Sequence, residues 1–336
     1  MSGPRTLSVV IPVYNARDHI AETVDAAANA IDRAGFDAEL VLVDDGSSDG
    51  SAAVAKGACT GRLPFTLVSQ PNRGRFEARR AGVERASGEW ILLLDSRLEL
   101  APDALHFIAE RLDHGDRVWT GHVDMEVDGD PYGTFWKMLA ELAWNDYFDN
   151  PRTTSFGATE FDRFPKGTGC FFVPRQLLLD AIGSFRSRYS DLRHANDDGP
   201  LIRWIAERER INVSPRFTGL YVPRSRLSAF VRHSFHRGIV FLDGHGRSES
   251  RFYPVVVGFY PASVVLVLAA FRRPIVIPAV AAAAAVAAGA LGVKRRRAPF
   301  EVSSLALLAP VYGLAHGAGM WRGLTLLVRD RAAAKR

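Results

Sequence analysis

Cysteine is scarce in this chain of 336 residues, which contains only Cys59 and Cys170. The number and spacing of these thiols suggest neither a disulfide framework nor a zinc site, so a reducing, cytosolic setting is expected. The first residues also lack the apolar core of a secretory signal, because Leu7 already begins a predicted strand. We therefore expect a fold that depends on packing rather than on covalent cross-links.

Acidic residues are almost absent from residues 252–328, which are mostly apolar. Residues 252–271 and 274–293 each have the length that a membrane-spanning helix requires. A third segment, 303–328, is a weaker candidate because Pro310 and several glycines interrupt it. The sequence predicts a hairpin of two membrane helices, followed by a segment that re-enters the membrane or lies in its interface.

Basic residues cluster beside these apolar segments, although the net charge of +5 is modest. Lys294–Arg297 and Arg329–Arg336 flank apolar runs, which is typical of contact with a membrane surface. Aromatic residues do not alternate with basic ones as on a face that stacks bases, so nucleic acid is not expected as a partner. The positive-inside rule places residues 294–297, and the preceding soluble part, on the cytosolic side of the cytoplasmic membrane.

Short apolar runs alternate with amphipathic segments in the first hundred residues. The runs are bounded by turn residues and read as strands buried on both faces, at residues 7–13, 38–45, 65–69 and 90–94. Helices are predicted between them, at about 16–34, just after 50, and at 75–86. This β-α-β-α-β-α-β order indicates an α/β fold with a parallel sheet.

The later part of the soluble region is less regular. Strands are predicted at residues 117–125 and 166–173, and helices begin near Ala101 and Leu201. An aromatic amphipathic helix over 133–148 fits either a core position or a membrane surface. Residues 227–246 form a second amphipathic helix, rich in basic residues.

Acids stand where ligands collect in such sheets, at the carboxyl ends of the strands. Asp44 and Asp45 end the second predicted strand, and Asp95 ends the fourth. Asp197 and Asp198 precede a predicted helix. Each acid could simply cap the turn or helix that follows it, so position alone does not decide between capping and ligand binding.

Four short motifs, residues 9–15, 43–50, 70–74 and 93–95, together resemble the family 2 inverting glycosyltransferases of GT-A fold. The resemblance covers roughly residues 5–240 and implies a Rossmann-like, mixed but mostly parallel sheet. The apolar tail is similar to membrane-attached bacterial members that build surface polysaccharides, including succinoglycan-type transferases, in particular at residues 312–324. The domains implied are a cytosolic catalytic domain at 1–225, an amphipathic interfacial region at 226–250, and a membrane region of two to three helices at 251–336.

The resemblance implies a nucleotide site at the strand ends. Pro12, Tyr14 and Asn15 would border the nucleoside pocket, Asp45 would bond the base, and Asp44 would support that loop. Arg73 and Gly74 would lie near the nucleotide. Asp95, followed by Ser96 and Arg97, would be the first acid of an Asp-x-Asp motif that faces the ribose or a metal-bound diphosphate.

A second set of residues is implied for the sugar and the acceptor. Gly167, Thr168 and Gly169 would shape the donor-sugar and acceptor pocket. Asp197 and Asp198 match an acidic pair in which the second acid is the general base, as an acceptor hydroxyl requires. Arg232, His236 and Arg237 lie where related enzymes carry a motif on an interfacial helix. Metal ligation is not expected of His236, nor of His233, His245 and His316, because these residues are spread over loops and apolar segments.

The sequence departs from the family pattern at Arg97, which replaces the second acid of the Asp-x-Asp motif. Mn²⁺ or Mg²⁺ bound at Asp95 would then lack its partner acid, unless Glu99 substitutes in an extended chain. Our hypothesis is that Arg97 neutralises part of the diphosphate charge itself. Arg75, Arg79 and Arg80 are predicted to form a solvated basic face, with an anion pocket as the alternative.

These features predict an inverting, membrane-associated glycosyltransferase. Its donor would be a nucleotide-sugar, with a UDP-sugar expected first, and its acceptor a lipid-linked or growing cell-surface glycan, with membrane lipids as further partners. Transfer to a polyprenyl phosphate and a catalytically inactive, nucleotide-sugar-binding scaffold are the alternatives. A nucleotidyltransferase is disfavoured because residues 12–15 stand where that class has a glycine-rich loop.

Overall fold

The computed structural model describes residues 5–248 and 250–333, which divide into two compact units. The first unit comprises Met1–Glu126, Ala140–Arg186 and Asp197–Val222. The second comprises Val127–Leu139, Ser187–Asn196 and Pro223–Arg336. The division into domains at residues 225 and 250 stays a prediction.

The first unit is built on one mixed sheet, which has nine strands within the described residues. The strands are β1 Thr6–Val13, β2 Asp37–Asp44, β3 Phe65–Ser69, β4 Trp90–Leu94, β5 Leu98–Leu100, β6 Trp119–Met125, β7 Thr154–Phe156, β8 Cys170–Pro174 and β9 Ile211–Tyr221. Their order is β3-β2-β1-β4-β8-β6-β9-β5, with β7 paired to β9. The first four strands are parallel neighbours, and β8 lies antiparallel between β4 and β6.

Helices connect and cover these strands. In the first unit they are α1 Ile20–Ala34, α2 Ser51–Cys59, α3 Arg75–Arg85, α4 Ala104–Leu112, α6 Asn145–Phe148, α7 Arg175–Ser184 and α8 Asp198–Ala206. Helix α5, Pro131–Ala143, passes from the second unit into the first. The second unit adds α9 Leu227–His245, α10 Tyr253–Arg272, α11 Val276–Lys294 and α12 Pro299–Ala333.

The α/β fold and the four leading strands are confirmed, because the apolar runs that predicted them form the core. Every residue of β4 is buried, and β1 pairs with it from Leu7 to Val10. Helix α1 packs its Ile20, Val24, Ala27 and Ile31 face into the same core, as its 3.6-residue period predicts. Gly35 ends α1 with φ 72°, a conformation that favours glycine.

Several predicted boundaries are wrong. Helix α1 begins at Ile20 rather than Ala16. The helix expected over 133–148 is two helices, α5 and α6, interrupted at Trp144. Residues 166–169 form a loop, and the strand expected there begins at Cys170.

The chain does not stay extended after Asp95. Leu98 N donates to Asp95 O at 3.0 Å, which closes a turn, and β5 then pairs with β9. This turn separates Asp95 from β5, so Asp95 and Glu99 do not lie on one extended strand. Replacement of the missing acid by Glu99 stays a prediction. Glu99 lies in β5, where its register partner is Leu220.

The second unit contains three helices, α10, α11 and α12, that are long and apolar enough to cross a membrane. Sequence analysis expected Pro310 to interrupt the third apolar segment, but Pro310 lies inside the continuous 35-residue helix α12. The course of this helix relative to the membrane stays a prediction. An apolar helix tolerates proline when neighbouring helices support it. Helix α12 packs along α9, where Gly238 and Gly319 bring the two backbones together: a Cβ on Gly238 would lie 2.0 Å from His316 O.

Candidate active site

The acidic pair at the start of α8 has one buried and one accessible member. The Asp197 side chain is 2% exposed, and its Oδ2 accepts a hydrogen bond from Arg79 Nη1 at 2.6 Å. The Asp198 side chain is 36% exposed, and its Oδ1 lies 3.2 Å from the same nitrogen. Of the two acids, Asp198 is therefore the one that a substrate can reach.

The loop before β8 brings Asp95 and Asp198 to one place. The Thr168 hydroxyl donates to Asp198 Oδ1, and Thr168 N lies 3.4 Å from the same oxygen. The next residue, Gly169, accepts a hydrogen bond at its carbonyl from Asp95 N at 2.7 Å. A Cβ on Gly169 would be 3.5 Å from Asp95 Cβ, an ordinary packing distance, so the two residues lie side by side. The roles predicted for Asp95 at the diphosphate and for Asp198 as the base stay predictions.

The electrostatics of the site keep Asp198 ionised. Burial by itself would raise the pKa of Asp198, but Arg79, Arg75 and the Thr168 hydrogen bonds outweigh it, so the pKa lies below its ordinary value. Burial would lower the pKa of Arg79, yet Asp197 and Asp198 raise it above normal. The donors from Arg79 and Thr168 all reach Oδ1 of Asp198, and Oδ2 is the oxygen that remains for a proton.

Asp45 holds a loop together from within. Its carboxylate is 4% exposed and accepts hydrogen bonds from Gln70 Nε2 at 2.7 Å, Arg73 N at 2.8 Å and Gly74 N at 2.8 Å. These bonds fix residues 70–74 at the end of β2. The expected bond to a base stays a prediction, and the structure adds a loop-holding contact that sequence reasoning did not anticipate.

The loops after β1 and β2 are also joined. Asn15, with φ 48°, accepts a hydrogen bond at its side-chain oxygen from Ser48 N at 2.9 Å. Asp44 Oδ1 accepts one from Ser47 N at 3.0 Å and so holds the turn after β2, while its role at a nucleotide stays a prediction. Pro12 lies in β1 opposite Val43, and Tyr14 is 50% exposed. The predicted nucleoside-pocket residues therefore lie at adjacent strand ends, with the Tyr14 ring open to solvent.

The turn at residues 95–97 contains Asp95, the candidate ligand for a metal ion. Asp95 Oδ1 accepts a bond from Arg97 N at 3.1 Å, Ser96 is buried, and Arg97 Nη1 donates to Val222 O at 3.3 Å. Among residues 5–248 and 250–333, no three His, Cys, Asp or Glu side chains lie close enough together to hold a metal ion. Because Mg²⁺ needs few protein ligands when phosphates complete its shell, Asp95 fits such an ion as one ligand beside a diphosphate.

Sequence reasoning missed the role of α3. Arg79 was expected on a solvated face, but it is 3% exposed and bonded to both acids. The signal was present: Phe76, Arg79 and Val83 share the i, i+3, i+7 spacing of one helical face, and all three are buried. Arg80 is not fully solvated either, because its Nη2 forms an ion pair with Oε2 of the buried Glu77 at 2.5 Å.

Three further predicted site residues, Arg232, His236 and Arg237, lie on α9 of the second unit. The Arg237 guanidinium lies over the Trp136 ring, 5.2 Å from its centroid. Arg232 is exposed to solvent. Their assignment to a donor or acceptor pocket stays a prediction.

Known proteins resemble this chain both in sequence and in fold. An undecaprenyl-phosphate 4-deoxy-4-formamido-L-arabinose transferase of Edwardsiella ictaluri is 36% identical over 111 residues. The protein of the same name from Klebsiella pneumoniae is 34% identical over 113 residues. These alignments cover 32% and 33% of this chain. They cover 34% and 35% of the two relatives, so the chain spans about a third of the length of the curated relatives that it matches.

Among solved structures, S. aureus TarS 1-349 in complex with UDP-GlcNAc has a similar fold, with a TM-score of 0.51 and 16% identity. The comparison covers 98% of this chain and 92% of that one. The model for "Glycosyl transferase family 2" matches residues 8–182, from β1 to near the end of α7, which is more than half of the chain. That span contains the strand-end acids and the Thr168 loop, and the chain belongs to glycosyl transferase family 2.

Proposed function

We propose that this chain is a membrane-associated, inverting glycosyltransferase that moves a sugar from a nucleotide-sugar, with UDP as the first nucleotide to test, to a lipid-linked or growing glycan. One observation carries the proposal: the Thr168–Gly169 loop is bonded to both Asp95 and Asp198 in the first unit, and Asp198 is the accessible member of the acidic pair. The family match and the three apolar helices support the transferase class and the membrane association.

The chemistry follows from Asp198. Its Oδ2 takes the proton of the acceptor hydroxyl as that oxygen attacks the anomeric carbon. The acceptor approaches opposite the leaving diphosphate, so one displacement inverts the anomeric centre. Asp197 does not touch the substrate and positions Arg79, which in turn holds Asp198. Residues at the strand ends bind the nucleotide, namely Pro12, Tyr14, Asn15, Asp44, Asp45, Arg73, Gly74, Asp95, Ser96 and Arg97.

A polyprenyl phosphate is the second candidate acceptor, favoured by the names of the Edwardsiella and Klebsiella relatives. The two acceptors place different demands on Asp198. A phosphate monoester has its second pKa near 6 and is already anionic at neutral pH, whereas a hydroxyl must lose its proton during attack. Asp198 is thus essential for a hydroxyl acceptor and less important for a phosphate acceptor. In both cases the site faces the cytosol, where nucleotide-sugars are made.

The test uses the full chain in detergent with a panel of radiolabelled UDP-, GDP- and dTDP-sugars, bacterial lipid extract and purified polyprenyl phosphate. Transfer of label to an organic-soluble product, with an anomeric configuration opposite to the donor, supports the proposal. Asp198→Asn should lower transfer to a hydroxyl by about 10²–10⁴-fold, while the exposed Asp103→Asn should not. Nucleotide binding without transfer from any donor would instead identify an inactive scaffold.

A further inference from the structure

The leaving diphosphate needs positive charge, and the described residues contain no group of three His, Cys, Asp or Glu side chains that could hold a metal ion. Asp95, Asp197 and Asp198 surround the site, and all three would repel a diphosphate. Arg97 occupies the place of a second metal-binding acid, and Asp95 alone supplies a carboxylate there. Since negative charge grows on the diphosphate as the sugar leaves, a cationic side chain near Asp198 would aid the reaction directly.

Arg79 and Arg97 are both engaged elsewhere. The Arg79 guanidinium is buried, and its Nη1 is shared between the two carboxylates of the acidic pair. Arg97 Nη1 donates to Val222 O at 3.3 Å. Arg79 is thus required to keep Asp197 and Asp198 in place, and Arg97 is tied to the end of β9.

Arg75 is placed differently. It is the first residue of α3 and stands four residues before Arg79, so both side chains lie on one face of the helix, about 6 Å apart along its axis. On this helix face, Arg79 is buried in the protein and Arg75 is exposed to solvent. Within the described residues, no hydrogen bond or ion pair holds the Arg75 guanidinium.

Two further observations place Arg75 beside the predicted donor. Arg75 stands one helical turn before Arg79, which contacts Asp198 at 3.2 Å, and after Arg79 it is the next charge that lowers the pKa of Asp198. In addition, Gly74, the residue before Arg75, is bonded through its N–H to Asp45 at 2.8 Å. Arg75 therefore lies between the predicted nucleotide site at Asp45 and the general base.

We propose that Arg75 binds the diphosphate of the nucleotide-sugar and supplies much of the positive charge that a cation held by two acids would otherwise provide. The planar guanidinium suits two phosphate oxygens at once. The two arginines on this helix face then have different roles. Arg79 positions the base, and Arg75 binds the leaving diphosphate. This inference rests on the proposed function and adds a diphosphate ligand to it.

The experiment measures binding of UDP, GDP and their nucleosides to the full chain in detergent by calorimetry, in excess EDTA and in Mg²⁺. Arg75→Gln should weaken diphosphate binding about 10- to 50-fold, as expected when charge-assisted bonds to a phosphate are lost, and leave nucleoside binding unchanged. Arg75→Lys should recover part of the loss. Arg85→Gln, exposed in the last turn of the same helix, is the matched control and should bind like the wild type.

Chelation should weaken diphosphate binding by the wild type less than about threefold, and added salt should shrink the gap between the wild type and Arg75→Gln. Equal binding by Arg75→Gln and Arg85→Gln would overturn the inference, and so would wild-type binding that disappears in EDTA. If the wild type binds neither the nucleosides nor the diphosphates, the proposed function fails as well. If binding and Asp198-dependent transfer persist but Arg75→Gln changes nothing, only the role of Arg75 is lost.

Discussion

At the scale of single residues, the site depends on a buried arginine that makes one acid inaccessible and keeps the other ionised. Arg79 bonds Asp197 at 2.6 Å and Asp198 at 3.2 Å, whereas only the Asp198 side chain is substantially exposed. The resemblance implies that the second acid of the pair, Asp198, is the base. Burial distinguishes the two acids, because a base must touch the hydroxyl that it deprotonates.

Replacing Arg79 should change how activity depends on pH. The pKa of Asp198 lies below its ordinary value, with Arg79 as the leading opposing charge to the effect of burial. Without that charge the pKa rises, and Asp198 becomes protonated at a higher pH. Arg79→Met should therefore move the acidic limb of the kcat/KM profile to higher pH. The profile is measured with the labelled nucleotide-sugar between pH 4 and 8.

Loss of folding would obscure that result, because removing one partner of a buried ion pair costs about 3–5 kcal/mol. The double variant Arg79→Met with Asp197→Asn removes the uncompensated charge and serves as the second arm. If the double variant folds and its acidic limb coincides with that of the wild type, Arg79 does not set the ionisation of Asp198.

Asp45 gives a second residue-scale prediction. Its two oxygens accept three hydrogen bonds from residues 70–74, two of them from the backbone of Arg73 and Gly74. Asp45→Asn should loosen this loop, because the amide NH₂ cannot accept, and should destabilise the protein by about 1–3 kcal/mol. Thermal unfolding and hydrogen exchange at residues 70–74 provide the measurement. Asp103→Asn, at an exposed site, should leave both unchanged, and unaltered exchange in Asp45→Asn would contradict the loop-holding role.

At the scale of elements, the sequence predicted the strands that are continuous apolar runs. It did not predict the strands that form only because they pair with a strand distant in sequence. β1 to β4 were predictable because each is an apolar run between turn residues. β5, at Leu98–Leu100, and β7, at Thr154–Phe156, are three residues long and become strands by pairing with β9. β9 itself contains Pro215 and Arg216, beside a register shift in its pairing with β6, and so lacks a regular period.

The same contrast applies to the site. The strand-end acids were predictable because parallel strands place their carboxyl ends at one edge of a sheet. Arg79 was not predicted, because an arginine among arginines suggests a solvated face. Its burial depends on Asp197, which is 118 residues away in sequence.

The contact between α9 and α12 should be intolerant of any side chain at its centre. A Cβ on Gly319 would lie 2.0 Å from Phe235 O and 3.0 Å from Gly238 Cα, and backbone atoms cannot move aside cheaply. Gly319→Ala should lower the thermal unfolding midpoint in detergent and weaken the contact by more than about 2 kcal/mol, as overpacking does. Gly313→Ala in the same helix is the control, since a Cβ on Gly313 would meet no described atom within 4 Å. Equal midpoints for the two variants would show that the helices are not held together here.

At the scale of the whole molecule, the proposed function assigns the chemistry to the first unit and the membrane attachment to the apolar helices of the second. The family match lies at residues 8–182, and the three helices that could cross a membrane follow from Tyr253 onward. Lipid-linked acceptors keep their apolar part in the bilayer, so a transferase that uses them gains by staying attached to it. A membrane tail is therefore consistent with either of the proposed acceptors.

The orientation of the tail can be tested with single cysteines, because the two native thiols are buried and burial raises the pKa of both. Lys294–Arg297 is predicted to be cytosolic and the turn at Arg272–Arg273 to face outward. A membrane-impermeant maleimide added to intact cells should therefore label Arg273→Cys but not Ala298→Cys. Permeabilised cells should show labelling at both. The opposite pattern in intact cells would place residues 294–297 outside and contradict the proposed topology.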